Sequence, residues 1–279
     1  MVGGKLLTPA DVRELARRYS VTPSKTLGQN FVVDPNTIRR IVRLAGMLPD
    51  DRVIEVGAGF GSLTLALAEA AAQVTAIELD RKVLPALQQA LSGVDNVTVL
   101  AADAMDLDFA ELTAGVPHRL VANLPYNVAT PLIANLLQRA PDVADFVIMV
   151  QREAGERLVA GPGSRTYGAV SLLVAYHCHS RILGRVPSTV FWPVPHVESL
   201  LVKLTRRPPT VAVGDEELMR VVRAAFGQRR KTVRNALASV LEVPVAGVER
   251  ALERAGLPAG ARAESLDLEE FARLTEALR

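Results

Sequence analysis

The chain has almost no cysteine: Cys178 stands alone among 279 residues. One thiol cannot form an internal disulfide, so the core must hold the fold, and the composition suits a reducing cytoplasm. Long apolar runs are missing as well. No segment approaches the roughly 18 uncharged apolar residues of a membrane span, and 1–20 hold no apolar run of the signal-peptide kind. No membrane partner is expected. Charge is nearly balanced, at a formal net +2, so bulk composition does not announce a nucleic-acid binder. What is present is ordinary globular material, 49% hydrophobic and 22% charged, in a length that accommodates one large domain and a small one.

The basic residues are unevenly placed. Before Pro49 the chain carries Lys5, Arg13, Arg17, Arg18, Lys25, Arg39, Arg40 and Arg43 against Asp11, Glu14 and Asp34. A second cluster is Arg229-Arg230-Lys231 with Arg234. Either patch could hold a phosphate backbone, and either could be a solvated helix face.

The most informative stretch is Val53-Ile54-Glu55-Val56-Gly57-Ala58-Gly59-Phe60-Gly61-Ser62-Leu63. A β-prone run passes through glycines at alternate positions into an Ala/Leu-rich helix. Such a turn presents bare backbone N–H groups to a ligand, because no Cβ stands in the way. The next strand, 74–78, ends in Glu78, about twenty residues after the first glycine, where a carboxylate can accept from a ribose diol. The spacing is G-x-G-x-G, unlike the G-x-G-x-x-G of dinucleotide sites, and points to S-adenosylmethionine rather than NAD. A tight turn with glycines chosen for packing is the plainer alternative.

Around this stretch, strands are expected at 52–56, 74–78, 97–100, 119–122 and 144–150, with helices near 62–72, 81–92 and 129–139. That alternation means a doubly wound parallel sheet whose ligand sits at the strands' carboxyl ends. Asp103 follows the third strand, where it could accept from an adenine amine or simply open a turn. The fourth strand runs into Asn123-Leu124-Pro125-Tyr126-Asn127. There the Asn123 oxygen and a backbone carbonyl near Pro125 can accept both hydrogens of a planar –NH₂ while Tyr126 stacks on its ring. A turn fixed by Pro125 with Tyr126 packed inward is the structural alternative.

Helices are also expected from Thr8-Pro9 to about Tyr19 and from Asp34-Pro35 onward, the latter with Ile38, Ile41, Val42 and Ala45 on one face. Tyr176-His177-Cys178-His179 would put both histidines on one face of a strand, yet no further cysteine exists, and no metal site is expected. Phe191-Trp192-Pro193-Val194-Pro195 forms a stiff aromatic segment before a strand at 200–204; Phe191 or Trp192 could clamp a flipped base, and core packing is an equal reading of Trp192. Arg206-Arg207-Pro208-Pro209 marks a boundary. Beyond it lie short amphipathic helices at 215–226, 232–241, 245–255 and 268–278, with Asp215 and Ser265 as candidate caps. The expected domains are therefore 1–207, which binds the cofactor, and 208–279, all helical.

These motifs together resemble the small-subunit rRNA adenine N6,N6-dimethyltransferases, the KsgA/RsmA family. The match runs through Leu27-Gly28-Gln29-Asn30-Phe31, the glycine stretch, Ile77-Glu78-Leu79-Asp80, Asp103-Ala104 and Asn123-Leu124-Pro125-Tyr126-Asn127. It continues through Pro162, Tyr167-Gly168, the segment from Phe191 through Pro195 to Ser199, and Phe226-x-Gln228-Arg229-Arg230-Lys231-Thr232. The resemblance implies a Rossmann-like class I methyltransferase sheet with a small all-α C-terminal domain. It implies that Asn30, Val32 (through its backbone), Gly57, Gly59, Glu78, Asp103 and Asn123 bind S-adenosylmethionine. It further implies that Asn123, Pro125, Tyr126 and Phe191 hold the target adenine, and the basic run Arg229, Arg230, Lys231 and Arg234 suits RNA. The substrate it implies is a pair of adjacent adenosines in the 3′-terminal hairpin loop of 16S rRNA, within an immature small subunit. Ala58 stands where many members carry proline. Nothing in the chain demands more than a monomer. The alternatives are a 23S rRNA adenine methyltransferase of the macrolide-resistance type, a non-catalytic RNA-binding assembly factor, and a DNA adenine methyltransferase, which usually has aspartate where Asn123 stands.

Overall fold

The structure, a computed structural model, describes residues 6–125, 128–228 and 230–279. Tyr126, Asn127 and Arg229, all singled out from the sequence, lie outside them. The chain divides into two compact units, 1–155 with 181–205, and 156–180 with 206–279. The boundary expected at 207 lies two residues past the last of three crossings.

Helix α1 (Pro9–Arg18) begins on Thr8, whose hydroxyl accepts from the Asp11 amide while the Asp11 carboxylate accepts from the Thr8 amide. Those reciprocal bonds satisfy two donors the first turn would otherwise leave free. After β1 (Phe31–Val32), α2 (Pro35–Ala45) starts on Asp34, which accepts from the Asn36 and Thr37 amides, and ends on Gly46 in the left-handed conformation. Ile38, Ile41 and Ala45 bury one stripe of α2 in the core shared with Leu67. Full burial of an isoleucine stabilises by roughly 1.5–3 kcal/mol.

Next come β2 (Arg52–Val56), α3 (Ser62–Ala70), β3 (Gln73–Glu78), α4 (Leu84–Ala90), β4 (Val97–Ala101), α5 (Phe109–Thr113), β5 (His118–Asn123), α6 (Ala129–Arg139) and β6 (Val143–Gln151). The five strands from β2 to β6 pair in parallel as the alternation predicts. α4 begins later than expected. Pro85 tolerates only a first-turn position, and Asp80 accepts from the Lys82 amide in a turn of its own.

The chain then forms α7 (Arg152–Leu158), α8 (Ala169–His177), β7 (Cys178–Val186), β8 (Phe191–Trp192) and β9 (Ser199–Arg206). The seven-stranded sheet has the order β4-β3-β2-β5-β6-β9-β7, with β9 antiparallel to β6, so the sheet is mixed rather than wholly parallel. Between β7 and β9 the link 187–198 contains no α-helix that could make a parallel crossover. His177 closes α8 and Cys178 opens β7, so His177 and His179 do not share one strand face as expected. Instead His177 Nε2 lies 3.0 Å from Asp215 Oδ2.

The strand order reverses between β2 and β5, because the chain winds out to β4 and then returns to the other side of β2. A crevice opens there at the strands' carboxyl ends. The β2–α3 turn is shaped by its glycines. Gly59 has φ +56°, and a Cβ on it would meet the Phe31 ring at 2.7 Å. Gly59→Ala is therefore expected to cost roughly 2–4 kcal/mol, from left-handed strain plus overpacking, and to lower Tm by roughly 5–15 °C. Differential scanning calorimetry reads this directly; an unchanged Tm would mean that Phe31 yields freely. Arg119 on β5 fastens the other end of the sheet, 2.6 Å from Asp51 and 3.3 Å from Asp145, with the Gly46 and Ala45 carbonyls also accepting from it.

The second unit is helical after β9: α9 (Asp215–Phe226), α10 (Val233–Val240), α11 (Val245–Arg254) and α12 (Leu268–Ala277). Its core includes the buried Tyr167 hydroxyl donating to the Leu266 carbonyl and the stacked Phe226–Phe271 pair. Two expected caps shift. Gly214 rather than Asp215 caps α9, leaving Asp215 in the first turn, where an acid complements the helix dipole. Asp267 rather than Ser265 caps α12, in reciprocal bonds with Glu270, because the Ser265 hydroxyl is committed to the Arg262 carbonyl.

Candidate active site

A cleft of about 200 Å³ opens at the switch point, lined by the 26–31 loop, the ends of β2, β3 and β5, and the segment after β4. Asn30, Gly57, Glu78, Asp103, Asn123 and Pro125 all line it. These come from five separate stretches of sequence; all but Asn30, which precedes β1, meet because each ends or follows a strand at the same edge of the sheet.

Glu78 terminates β3 and is buried, with 6% of its surface exposed. Its Oε2 accepts from the Gly59 amide at 2.8 Å and its Oε1 from the Asp80 amide at 2.8 Å. Burial raises its pKa, and those amides pull the other way. The carboxylate is thus fixed at the mouth of the glycine turn with lone pairs remaining for a diol. Gly57 has φ +77°, and a Cβ there would sit 3.3 Å from the Pro125 ring, so the glycine turn and the β5 end pack closely. Asp103 Oδ1 accepts from the Met105 amide.

The loop before β1 is tied down. Gln29 spans it, its Oε1 accepting from the Ser24 amide and its Nε2 donating to Asp80. β1 pairs with β8 in a two-stranded ribbon, Phe31 opposite Trp192 and Val32 opposite Phe191. Trp192 packs with Phe31 and Phe60, which favours its core reading.

The decisive geometry is at Asn123. Its Nδ2 donates to the Asn30 carbonyl at 2.8 Å, which fixes which end of the amide is oxygen. Its Oδ1 is buried and has no hydrogen-bond partner among the described residues. A buried unpaired carbonyl costs roughly 1–3 kcal/mol, so a ligand bearing an N–H has a ready acceptor. Beside it, the Pro125 carbonyl already accepts from the Val128 and Ala129 amides at the start of α6.

Not every candidate lines the cleft. Val32 is buried, and Gly59 reaches the cleft's chemistry only through its amide on Glu78. Phe191, only 2% exposed, lies in the core with Leu201 and Val186 rather than on the cleft wall. In the second unit Arg230 and Lys231 are exposed, whereas Arg234 pairs with Glu249 at 2.7 Å. The sequence reading passed over Leu79, Met105 and Leu132, which give the cleft its apolar wall. Leu79 and Met105 follow the strand-end acids by one and two positions, and that spacing was the available signal.

Glu55, on β2 beneath the turn, is buried, and its Oε2 lacks a partner among the described residues. Burial pushes its carboxyl up to about 8; the Thr64 hydroxyl opposes this and the Glu78 charge adds to it. The folded-state pKa lies above the unfolded value, so the folded chain holds an extra proton between about 4.5 and 8. Stability from this group is full below that window and falls as pH rises through it, by up to about 1.4 kcal/mol per pH unit. Glu55→Gln is expected to flatten urea-melt stability between pH 5 and 9. A variant curve parallel to wild type would refute the protonated carboxyl.

Comparison with known proteins gives a consistent set of relatives. Residues 22–279 match the family described as Ribosomal RNA adenine dimethylase. A Kineococcus radiotolerans protein named Ribosomal RNA small subunit methyltransferase A is 51% identical over 274 residues, 96% of this chain and 90% of that protein. A Thermobifida fusca protein of the same name is 48% identical, covering 98% and 96%. Among solved structures, the 23S rRNA methyltransferase ErmE superposes with TM-score 0.67 at 29% identity, covering 89% of this chain and 99% of that one. A Plasmodium falciparum dimethyladenosine transferase superposes with TM-score 0.70 at 24% identity, covering 86% and 94%.

Proposed function

The chain belongs to the ribosomal RNA adenine dimethylase family, and on that premise we propose that its cleft dimethylates two adjacent adenosines in the 3′-terminal hairpin loop of 16S rRNA. It is an S-adenosylmethionine-dependent rRNA (adenine-N6,N6)-dimethyltransferase acting on small-subunit RNA. The observation that carries the detailed reading is the Asn123 Oδ1, buried and without a hydrogen-bond partner among the described residues.

When bound, S-adenosylmethionine supplies a sulfonium methyl. Glu78 would accept from its ribose hydroxyls, Asp103 from its adenine amine, and Gly57 and Asn30 would border its amino-acid end. Leu79, Met105 and Leu132 would flank its apolar surface.

Asn123 Oδ1 and the Leu124 carbonyl accept the two hydrogens of the target adenine's N6, which directs the nitrogen lone pair toward the cleft. With S-adenosylmethionine bound, a nitrogen held this way would be placed to take the methyl group, the thioether leaving with the electrons of the carbon–sulfur bond. The nitrogen, now cationic, releases its proton to solvent, so no dedicated base is needed. Most of the acceleration comes from holding the reacting atoms in line. After one transfer N6 keeps a single hydrogen, and either acceptor can hold it for the second. Tyr126 adjoins these acceptors in sequence and would stack on the ring. Phe191 would have to leave the core to do so. Arg230 and Lys231, with Arg229 between Gln228 and Arg230, would meet RNA phosphates within an immature small subunit in the cytoplasm, and the protein works as a monomer.

The test is label transfer from radioactive S-adenosylmethionine to unmethylated small subunits, large subunits and protein-free rRNAs. Label in small-subunit RNA supports the reading; label in 23S rRNA supports the resistance-type enzyme instead.

A further inference from the structure

Several surface arginines face a carboxylate: Arg17 and Arg18 lie near Glu14, Arg152 near Glu198, Arg234 near Glu249, and Arg279 near Glu217. Four others, on two neighbouring elements, do not. Arg39 and Arg43 are exposed on α2, and Arg181 and Arg185 are exposed on β7, at one edge of the sheet. The two elements are stitched together. Arg40 lies across β7, its Nη1 donating to the Arg185 carbonyl at 2.9 Å and its guanidinium filling the space where a Cβ on Gly184 would stand. The Val33 amide, just before α2, donates to the Val190 carbonyl, just after β7.

Acids are absent from both partners. From Arg157 to Val197 the sequence has no Asp or Glu, and none falls between Pro35 and Pro49, against 30 acids in 279 residues overall. Asp34, the nearest on α2, spends its oxygens on the Asn36 and Thr37 amides and the Thr37 hydroxyl, and touches the group only through the charge of Arg39. Arg39 and Arg43 are four residues apart on one helix face, a like-charge arrangement that weakens the helix. Gathering like charges without counter-charge is unfavourable in the free protein and favourable against a polyanion.

We propose that the α2–β7 face is a second RNA-backbone site, where Arg39, Arg43, Arg181 and Arg185 hold phosphates of the strand flanking the target adenosines. α2 begins five residues after Asn30 of the cleft, and Arg43 lies about 12 Å along the helix from Pro35 at 1.5 Å per residue. A flanking strand leaving the cleft past β1 therefore reaches it directly. This rests on the reading that the substrate is rRNA. It differs from the 229–234 run in lying wholly within the first unit.

The test is the affinity of Arg43→Glu/Arg185→Glu for unmethylated small subunits and for 16S rRNA, measured across salt concentrations. The dissociation constant should rise at least tenfold, and the slope of log affinity against log salt should shrink by about 1.5–2. Arg43→Lys/Arg185→Lys should stay near wild type, while kcat at saturating RNA and cofactor affinity should not change. Arg52→Glu/Arg139→Glu makes the same charge change at exposed positions elsewhere on the first unit. An unaltered salt slope in the first variant, or an equal loss in this control, overturns the proposal. Wild-type protein that binds subunits but transfers no methyl would instead sink the enzymatic reading, and the binding comparison would still decide this one.

Discussion

Asn123→Ala is expected to lower kcat for methyl transfer by roughly 10²–10³-fold, the scale seen when one preorganised hydrogen-bonding group is taken from a reacting centre. The side chain has two separable jobs. Its Oδ1 is the buried atom proposed to accept from the target amine, and its Nδ2 ties the cleft loop through the Asn30 carbonyl. Asn123→Asp separates them. It keeps an acceptor at Oδ1 but turns a donor into a second oxygen facing the Asn30 carbonyl. The aspartate variant should therefore retain more kcat than the alanine variant while losing order in the 26–31 loop, read by hydrogen exchange. Equal kcat in the two would mean that the tie to Asn30, and not acceptance from the adenine, is what matters.

Glu78→Ala is expected to weaken S-adenosylmethionine binding at least 100-fold in calorimetry, since hydrogen bonds to a charged group are each worth roughly 1.5–3 kcal/mol and a ribose diol offers two. The same change strips the Gly59 and Asp80 amides of their acceptor, so the glycine turn loses its anchor and stability falls as well. Glu78→Gln retains one acceptor and should lie between the two. Burial raises the Glu78 pKa, so acidification protonates it earlier than an exposed glutamate and cofactor affinity should decline as pH falls. A Glu78→Ala protein that binds with wild-type affinity would remove this residue from the cofactor site.

The parts of the site legible from sequence were those whose chemistry is local. The β2–glycine–α3 unit announces itself because the strand period, the Cβ-free turn and the helix lie within one short run. Glu78, Asp103 and Asn123 line one cleft because a parallel sheet places every strand's carboxyl end at one edge. What was not legible depends on pairing between distant residues. The β1–β8 ribbon is two residues on each side, too short for an alternation pattern, yet it is what sets Phe191 inside the core. The antiparallel β9 was recognised as a strand, but its direction follows from a connection whose path the residues do not encode locally. Residues 156–180 joined the second unit unannounced. Gly161-Pro162-Gly163 signals a loop, whereas the packing of α8 with α9 and α12 that claims the segment is long-range. Orphaned polar atoms such as Asn123 Oδ1 are likewise visible only in three dimensions.

The most direct measurement digests small-subunit RNA to nucleosides after reaction with wild-type protein or Asn123→Ala, and identifies the methylated products by mass spectrometry. The expected result is N6,N6-dimethyladenosine at two moles per mole of wild-type-treated 16S rRNA, with little or none from the variant. Methylation of another atom or another base, or dimethyladenosine produced equally well by Asn123→Ala, contradicts the amine-holding site.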